Sequence, residues 1–232
     1  MSAVQAAVTT LDIAAVGLRE VNRTLQRAEA GQAFALAHPD GRHAIAAGLT
    51  SSITVDVRGH TGYYCAGMNQ VATVCVRGNA GVGVAENMMS GRVEVDGSAG
   101  QSAAATAHGG LLVVRGDAAA RCAISLKGAD VVIQGSVGHA TAFMAQSGRL
   151  VVLGDAGVGL GDSLYEARIY VRGSAPDLGS DCIEKPLRDE HVRELADLLA
   201  AAGVEGVEPR SFRRYGSART LYHWQSEHST AA

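Results

Sequence analysis

A glycine recurs every 19 residues through the middle of this chain, six intervals in succession. Apolar residues stand four and two positions before each glycine, as Val93 and Val95 do before Gly97. Apolar residues spaced by two are typical of a short strand with one buried face. The repeat unit is therefore a short strand followed by a glycine bend. The seven glycines are Gly59, Gly78, Gly97, Gly116, Gly135, Gly154 and Gly173.

A unit of this kind cannot bury its apolar face alone, but stacked units can, because each strand pairs in parallel with the next. Strands in such a stack lie about 4.8 Å apart, so the six intervals span about 29 Å. The crossover between parallel strands is expected to be right-handed. Glycine suits the bends because it adopts positive φ without steric cost. The sequence predicts an all-β solenoid, a single-stranded right-handed parallel β-helix with coils of about 19 residues.

The segments on either side of the repeat predict caps for the solenoid, which needs its open ends covered. Residues 11–30 predict a helix, and residues 34–48 predict two short strands around the turn Pro39-Asp40-Gly41. The inward face of the helix carries Leu18, Val21, Leu25 and Ala28. We assign residues 1–52 to an N-terminal cap and residues 53–176 to the coils.

Residues 177–232 then form a C-terminal helix and an extended tail, in one folded unit with the coils. The helix is predicted over residues 187–202, with Val192, Leu195, Leu198 and Leu199 facing inward. Four of the chain's few aromatic residues follow in the polar tail. They either pack on the chain itself or dock onto another protein chain, because exposed aromatic side chains are typical of interfaces. These residues are Phe212, Tyr215, Tyr222 and Trp224.

Residues able to carry out chemistry do not cluster in the sequence. The four cysteines form no CxxC pair and the eight histidines no HxH or HExxH motif, so we expect no metal site and no cofactor-binding residue in this chain. Cys65 and Cys122 occupy the same position three coils apart, about 14 Å, which is too far for a disulfide. We predict no catalytic residue.

Three patterns invite a functional interpretation and favour a structural one. The glycine-rich run 154–162 resembles a dinucleotide loop, but Gly154 and Gly157 are repeat positions and a strand follows where such a loop needs a helix. A column of Arg58, Arg77, Arg115 and Arg172 is interpreted as a solvated face. The outer acids of a polysaccharide-cleaving β-helix would be clustered, whereas Asp56, Glu94 and Asp130 are scattered along the strands.

Charge and hydropathy exclude two classes of partner. The net charge of −3 gives no reason to expect nucleic acid binding. No stretch approaches the roughly 18 apolar residues that span a bilayer, and the N-terminus has no cationic leader before an apolar run. We expect a cytoplasmic protein.

The glycine ladder resembles the GXGXG β-helix domain of the glutamate synthase large subunit, a domain that formylmethanofuran dehydrogenase also contains. The closest stretch is GDAGVGLGDSLYEARIYVRG at residues 154–173, followed by LGSDC at residues 178–182. The GDSLYE-x-x-IYV-x-G pattern is most similar to the glutamate synthase branch. A free-standing version resembles the small GXGXG subunit of N-methylglutamate synthase (methylamine–glutamate N-methyltransferase).

The resemblance implies a non-catalytic scaffold subunit. Its expected partners are a class II glutamine-amidotransferase-like subunit and a glutamate-synthase-like subunit that carries FMN and iron–sulfur clusters. No cofactor is expected in this chain itself. The alternative is a scaffold like the GXGXG chain of a formylmethanofuran dehydrogenase or formyltransferase/hydrolase complex.

Overall fold

The computed structural model describes residues 7–219 and confirms the parallel β-helix. Eleven strands form one sheet in the order β1-β2-β3-β4-β5-β6-β7-β8-β9-β11-β10. Neighbours from β1 to β9 pair in parallel, whereas β11 pairs antiparallel with both β9 and β10. The strands are β1 (Val8–Asp12), β2 (Ala33–Ala37), β3 (Thr54–Val57), β4 (Thr73–Val76), β5 (Arg92–Val95), β6 (Leu111–Val114), β7 (Lys127–Ile133), β8 (Ser147–Val152), β9 (Arg168–Val171), β10 (Cys182–Lys185) and β11 (Arg213–Ser217).

The strands stack in the register that the 19-residue period predicts. Val55 pairs with Val74, Val74 with Val93, and Val93 with Leu112. These side chains point into the solenoid and are fully buried. Each strand's apolar side chains therefore rest on those of the coils above and below, which supplies the burial that one coil lacks.

A second line of backbone contacts joins the coils four residues after the end of each strand. Two residues after each ladder glycine, single backbone bridges run in parallel from coil to coil. They connect Thr61, Ala80, Ala99, Ala118, Val137 and Ala156. The side chains of this column are buried and mostly alanine, so the interior is narrow at this height.

In the turn that completes each coil, every second residue adopts a left-handed backbone conformation with positive φ. In the coil after Gly59 the residues with positive φ are Tyr64, Ala66 and Met68. Their N–H groups donate alternately to the coils on either side, to Val82 O at 2.8 Å, Ile45 O at 2.9 Å and Glu86 O at 2.8 Å. A left-handed L-residue costs roughly 1–2 kcal/mol. These inter-coil hydrogen bonds offset that cost in every coil.

The ladder glycines form a column, but the reason for glycine differs from the expectation. Among the seven, only Gly59 has a positive φ, at 143°. At the other six a Cβ would collide with the coil below; at Gly97 it would lie 2.9 Å from the carbonyl oxygen of Gly78 and 3.0 Å from its carbonyl carbon. Real Cβ atoms essentially never approach this closely. Close backbone stacking, not left-handed geometry, therefore requires glycine there.

A ladder of polar side chains follows the glycine column on its outer side. Each side chain except the last, that of Ser174, accepts a hydrogen bond from the backbone N–H of the equivalent residue in the next coil, as Asp117 does from Ser136 at 2.7 Å. The distances along the column are 2.7–3.2 Å. These bonds satisfy backbone groups at the bend, where the strand ladder has ended. The column is His60, Asn79, Ser98, Asp117, Ser136, Asp155 and Ser174.

The predicted helix 11–30 is wrong in its bounds. The segment begins with β1, followed by helices α1 (Ile13–Val16) and α2 (Leu18–Gln26). Asp12 starts α1 because its carboxylate accepts from the N–H of Ala14 at 2.9 Å. Gly17, with φ 81° and ψ 146°, separates the two helices. The predicted inward face is confirmed at Val21 and Leu25 of α2, which are buried. Leu18 is half-buried, and Ala28 is buried beyond the end of the helix.

The predicted start of the coils at residue 53 is one coil too late. Strand β2 already pairs with β3, and β1 pairs with β2. The predicted second strand before residue 48 is a turn instead, because Ala44, Ala46 and Gly48 repeat the positive-φ pattern of later coils. The first coil is thus built like the others, with one exception. The side chain of Pro39 faces Gly59, whereas in later coils each ladder glycine faces another glycine.

The chain's C-terminal part joins the sheet and then covers its outside. Helix α3 (Asp189–Ala201) lies within the predicted range 187–202, and Leu195, Leu198 and Leu199 are buried as predicted. A short 3₁₀ helix (Pro209–Ser211) leads into β11. Strands β10 and β11 belong to the sheet, so residues 177–219 extend the solenoid where the sequence predicted only a helix and a tail.

Candidate interaction surfaces

The outward side chains of the sheet divide it into a charged half and an apolar half. Charged residues occupy outward positions of β3 and β5, at Asp56, Arg92 and Glu94, and further arginines follow the strands. At the same height in β6–β9 the column becomes apolar and buried. That column consists of Val113, Val132, Val151 and Tyr170.

Helix α3 is seated on the apolar half. Leu195, Leu198 and Leu199 pack with the buried column, together with Phe212. Polar contacts fix the helix at both ends of this seat. The Tyr170 hydroxyl donates to Glu194 at 2.9 Å, and Arg92 donates to the carbonyl of Ala201 at 2.8 Å, at the negative end of the helix dipole.

The charged half is an ion-paired network. Arg77 donates to Asp56 at 2.6 Å and to Asp96 at 3.3 Å. Arg115 bridges Asp96 and Glu94 at 3.4 and 3.3 Å. The arginine column is exposed, as predicted, and its members Arg58, Arg77 and Arg115 hold carboxylates of this chain. A surface whose charges already neutralise one another attracts an acidic partner weakly.

The outer acids are likewise engaged. Asp56 and Glu94 belong to the network above, and Asp130 accepts two hydrogen bonds from Arg149, each at 2.6 Å. A general acid or base must reach the proton that it transfers, and its pKa must lie near the working pH. Both carboxylate oxygens of Asp130 are occupied by Arg149, so neither is free to exchange a proton with a substrate.

Of the two alternatives that the sequence leaves open, Phe212 and Tyr215 pack on the chain itself and do not form a docking surface. Phe212 is 3% exposed beneath α3, and Tyr215 is 2% exposed against the end of the interior core. The two rings bury apolar area within the chain, so they offer nothing to a partner. Tyr222 and Trp224 lie outside the described residues.

Exposed apolar side chains lie instead on the turn side of the first coils. Tyr63 and Met68 are 50% and 57% exposed, and Tyr64 and Val71 are exposed nearby in sequence. Met89 is exposed on the next coil, where its N–H donates to the carbonyl of Asn69. Tyr63 stacks on His43 with 4.5 Å between ring centroids, which holds its ring in place. Grouped exposed aromatic and methionine side chains are typical of protein-binding surfaces. This group could not be predicted from the sequence, because its members occupy different positions of the repeat unit.

The glycine-rich run 154–162 is part of the solenoid. A Cβ on Gly154 or Gly157 would strike the backbone of Gly135 or Gly138 in the coil below, at 2.7 and 2.8 Å. The segment reaches β9 without an intervening helix. The ladder interpretation is therefore confirmed, and the run lacks the helix N-terminus that a dinucleotide loop uses.

All four cysteines are free, and because Cys75 is less buried than the others we expect it to be more reactive. Desolvation raises the pKa of Cys65 and of Cys122 to about 12. Cys75 lies half-buried on the outer face, where desolvation and the Glu94 charge raise its pKa as well. Thiolate is the reactive form, so access and residual ionisation both favour Cys75.

We expect iodoacetamide at pH 8 to label Cys75 first in the folded protein, and Cys65 and Cys122 only after unfolding. Peptide mass spectrometry of native and urea-treated samples measures the order. The variant Cys75→Ser is the control and should leave the folded protein nearly unlabelled. Native labelling of Cys122 at the rate of Cys75 would contradict the buried position of that thiol.

Metal-binding clusters and membrane-spanning helices are both missing from the described part of the chain. Among residues 7–219, no group of three or more His, Cys, Asp or Glu side chains is arranged to hold a metal ion. Within the same range, none of the helices has the length and apolar character needed to cross a bilayer.

Similarity to known proteins agrees with this architecture. The GXGXG motif family matches residues 33–207, which covers the coils and α3. Protein GlxC of Rhizobium meliloti (strain 1021) is 54% identical over 224 residues, 95% of this chain and 98% of GlxC. The family match spans most of the chain and coincides with the stacked coils, and this chain therefore belongs to the GXGXG motif family.

Proposed function

We propose that this chain is a non-catalytic scaffold subunit of a glutamate-synthase-like complex, namely N-methylglutamate synthase. That enzyme converts methylamine and L-glutamate into N-methyl-L-glutamate and ammonia. The observation that carries the proposal is the GXGXG match over residues 33–207, combined with the GDSLYE-x-x-IYV-x-G pattern at residues 161–173. GlxC supports a separate subunit, because the matched region makes up 98% of that protein too.

The geometry supports a structural role. The interior is filled by stacked apolar side chains, and the outward acids Asp56, Glu94 and Asp130 are held by arginines. The exposed apolar group around Tyr63 and Met68 supplies the kind of area that is buried when two chains associate. In this proposal a class II glutamine-amidotransferase-like chain and an FMN and iron–sulfur chain carry the reaction, and this chain holds them together.

A tagged copy expressed in the native cells tests the proposal. We expect it to co-purify with an amidotransferase-like chain and a flavoprotein, identified by mass spectrometry. The recovered assembly should form N-methylglutamate from methylamine and glutamate. Reconstitution from the partner chains without this chain should lose that activity.

The runner-up function is a scaffold in a formyl-transferring one-carbon complex, since the same repeat occurs there. Recovery of formyltransferase- or hydrolase-like chains with the tagged protein would favour it. Recovery of neither set of partners would contradict both functions. Turnover by the purified chain alone would contradict the scaffold role itself.

A further inference from the structure

A surface cleft lies over the last strands of the sheet, and its lining includes none of the exposed residues around Tyr63. Its larger chamber has a volume of about 480 Å³ and is lined by Ser147, Gly148, Arg149, Glu166, Arg168 and Arg214. A smaller chamber of about 170 Å³ adjoins it, sharing Glu166, Arg168 and Arg214 and adding Lys185 and Arg219. Three arginines from β8, β9 and β11 thus converge on one cavity.

Two of these arginines already have carboxylate partners. Arg149 is bound bidentate by Asp130, and Arg168 is paired with Glu194 on α3. In the smaller chamber Arg219 is paired with Asp181. The positive charges of these three side chains are therefore compensated within the chain.

Arg214 is different. Within the described residues its guanidinium makes one side-chain hydrogen bond, from Nη1 to the carbonyl of Pro186 at 3.3 Å, and no carboxylate lies within 4.0 Å of it. Its Nε is buried and has no hydrogen-bond partner among residues 7–219. Burial lowers the pKa of this side chain, because the cation loses contact with water and gains too few hydrogen bonds in exchange. Leaving such a group unpaired costs free energy.

Charge balance indicates the class of ligand. The two chambers and their direct partners contain five cations and four carboxylates, so one positive charge is left over. A monoanion matches that excess, and the surrounding carboxylates oppose a more highly charged anion. A guanidinium presents two parallel N–H groups that fit the two oxygens of one carboxylate.

We propose that this cleft is a carboxylate-binding site centred on Arg214, with Ser147 as an additional hydrogen-bond donor. The carboxylate comes either from a small free acid or from an acidic side chain of a partner chain. The site does not rest on the proposed function, because its first test uses the purified chain alone.

The first test titrates sodium acetate into the purified full-length chain at constant ionic strength, with sodium chloride as the balancing salt. At about ten times Kd, acetate should raise Tm by about 3–6 °C. Arg214→Gln should abolish the rise, and Arg121→Gln, which removes an exposed arginine that lines neither chamber, should preserve it. If Arg214→Gln does not fold, the Nε–Hε NMR signal of Arg214 in the unmodified chain should shift saturably with acetate.

The second test identifies the source of the carboxylate. If acetate leaves Tm unchanged but tagged Arg214→Gln retains partner chains about tenfold more weakly than the unmodified chain, the carboxylate belongs to a partner. The proposal fails if neither acetate nor partner retention depends on Arg214. It also fails if Glu166→Gln or Glu227→Gln is strongly non-additive with Arg214→Gln in Tm, because the chain's own acid then fills the site. Glu227 lies outside the described residues.

Discussion

Replacing Gly97 by valine should lower the free energy of unfolding by about 2–4 kcal/mol. The new Cβ would lie 2.9 Å from the carbonyl oxygen of Gly78, and nearer still to the side chain of Asn79. Asn79 could rotate away, but it would then lose its hydrogen bond from the N–H of Ser98. The backbone of Gly78 can yield only by separating two coils. Urea denaturation followed by circular dichroism measures the change.

Gly216→Ala is the matched control. Gly216 lies in β11 of the same sheet, whereas Gly97 lies in the bend after β5. An added Cβ at Gly216 would find its nearest neighbour at 3.5 Å, the Cγ of Lys185. That is an ordinary van der Waals distance, so the control should change stability by less than about 1 kcal/mol. Equal, small effects at Gly97 and Gly216 would remove the close stacking that we assign to the glycine column.

Replacing Leu195 by alanine should cost about 3 kcal/mol. Leu195 is fully buried where α3 meets Val132, Val151 and Tyr170, so truncation leaves a cavity between a helix and a sheet that are both held by other contacts. Thermal and urea unfolding measure the loss.

Asp197→Ala on the exposed side of the same helix is the control and should stay within about 0.5 kcal/mol of the unmodified chain. A cost below about 1 kcal/mol for Leu195→Ala would contradict the seat of α3 on the outer sheet. The two predictions test different hydrophobic cores. Gly97 tests the stacking of coils around the interior core, and Leu195 tests the outer layer between the sheet and α3.

The solenoid could be predicted from sequence because several positions of the unit repeat with the same period. A glycine at Gly97 and valines at Val93 and Val95 each repeat at 19 residues, and stacking is the arrangement that lets every copy bury the same face. The register between strands then follows directly. Handedness and strand direction follow from general rules of parallel crossovers.

The left-handed turns could not be predicted in the same way. Ala66, Ala85 and Ala104 repeat in the sequence, but alanine carries no signal for positive φ. Their geometry depends on hydrogen bonds from neighbouring coils, such as the one from Ala85 N to Cys65 O at 3.0 Å. Only the stacked structure supplies those partners. The first coil escapes prediction for a different reason, because Pro39 faces Gly59 at the bend where later coils have a glycine.

The seat of α3 does have a signal in the sequence. The outward position of the strands changes from Asp56 and Glu94 to Val113, Val132 and Val151 halfway along the stack. A strand that is apolar on both faces predicts a second covering layer. That covering also explains Phe212, which packs under the helix instead of docking a partner. The cleft at Arg214 has no such signal, because it joins β8, β9 and β11 from separate parts of the chain.

The scaffold role is tested most directly by flavin content. The tagged chain is purified from native cells with its partners, and flavin is then measured in that assembly and in the same chain after its partners have been removed. We expect flavin in the assembly and none in the isolated, folded chain. Flavin that stays with the isolated chain would contradict the claim that the chemistry belongs to other subunits.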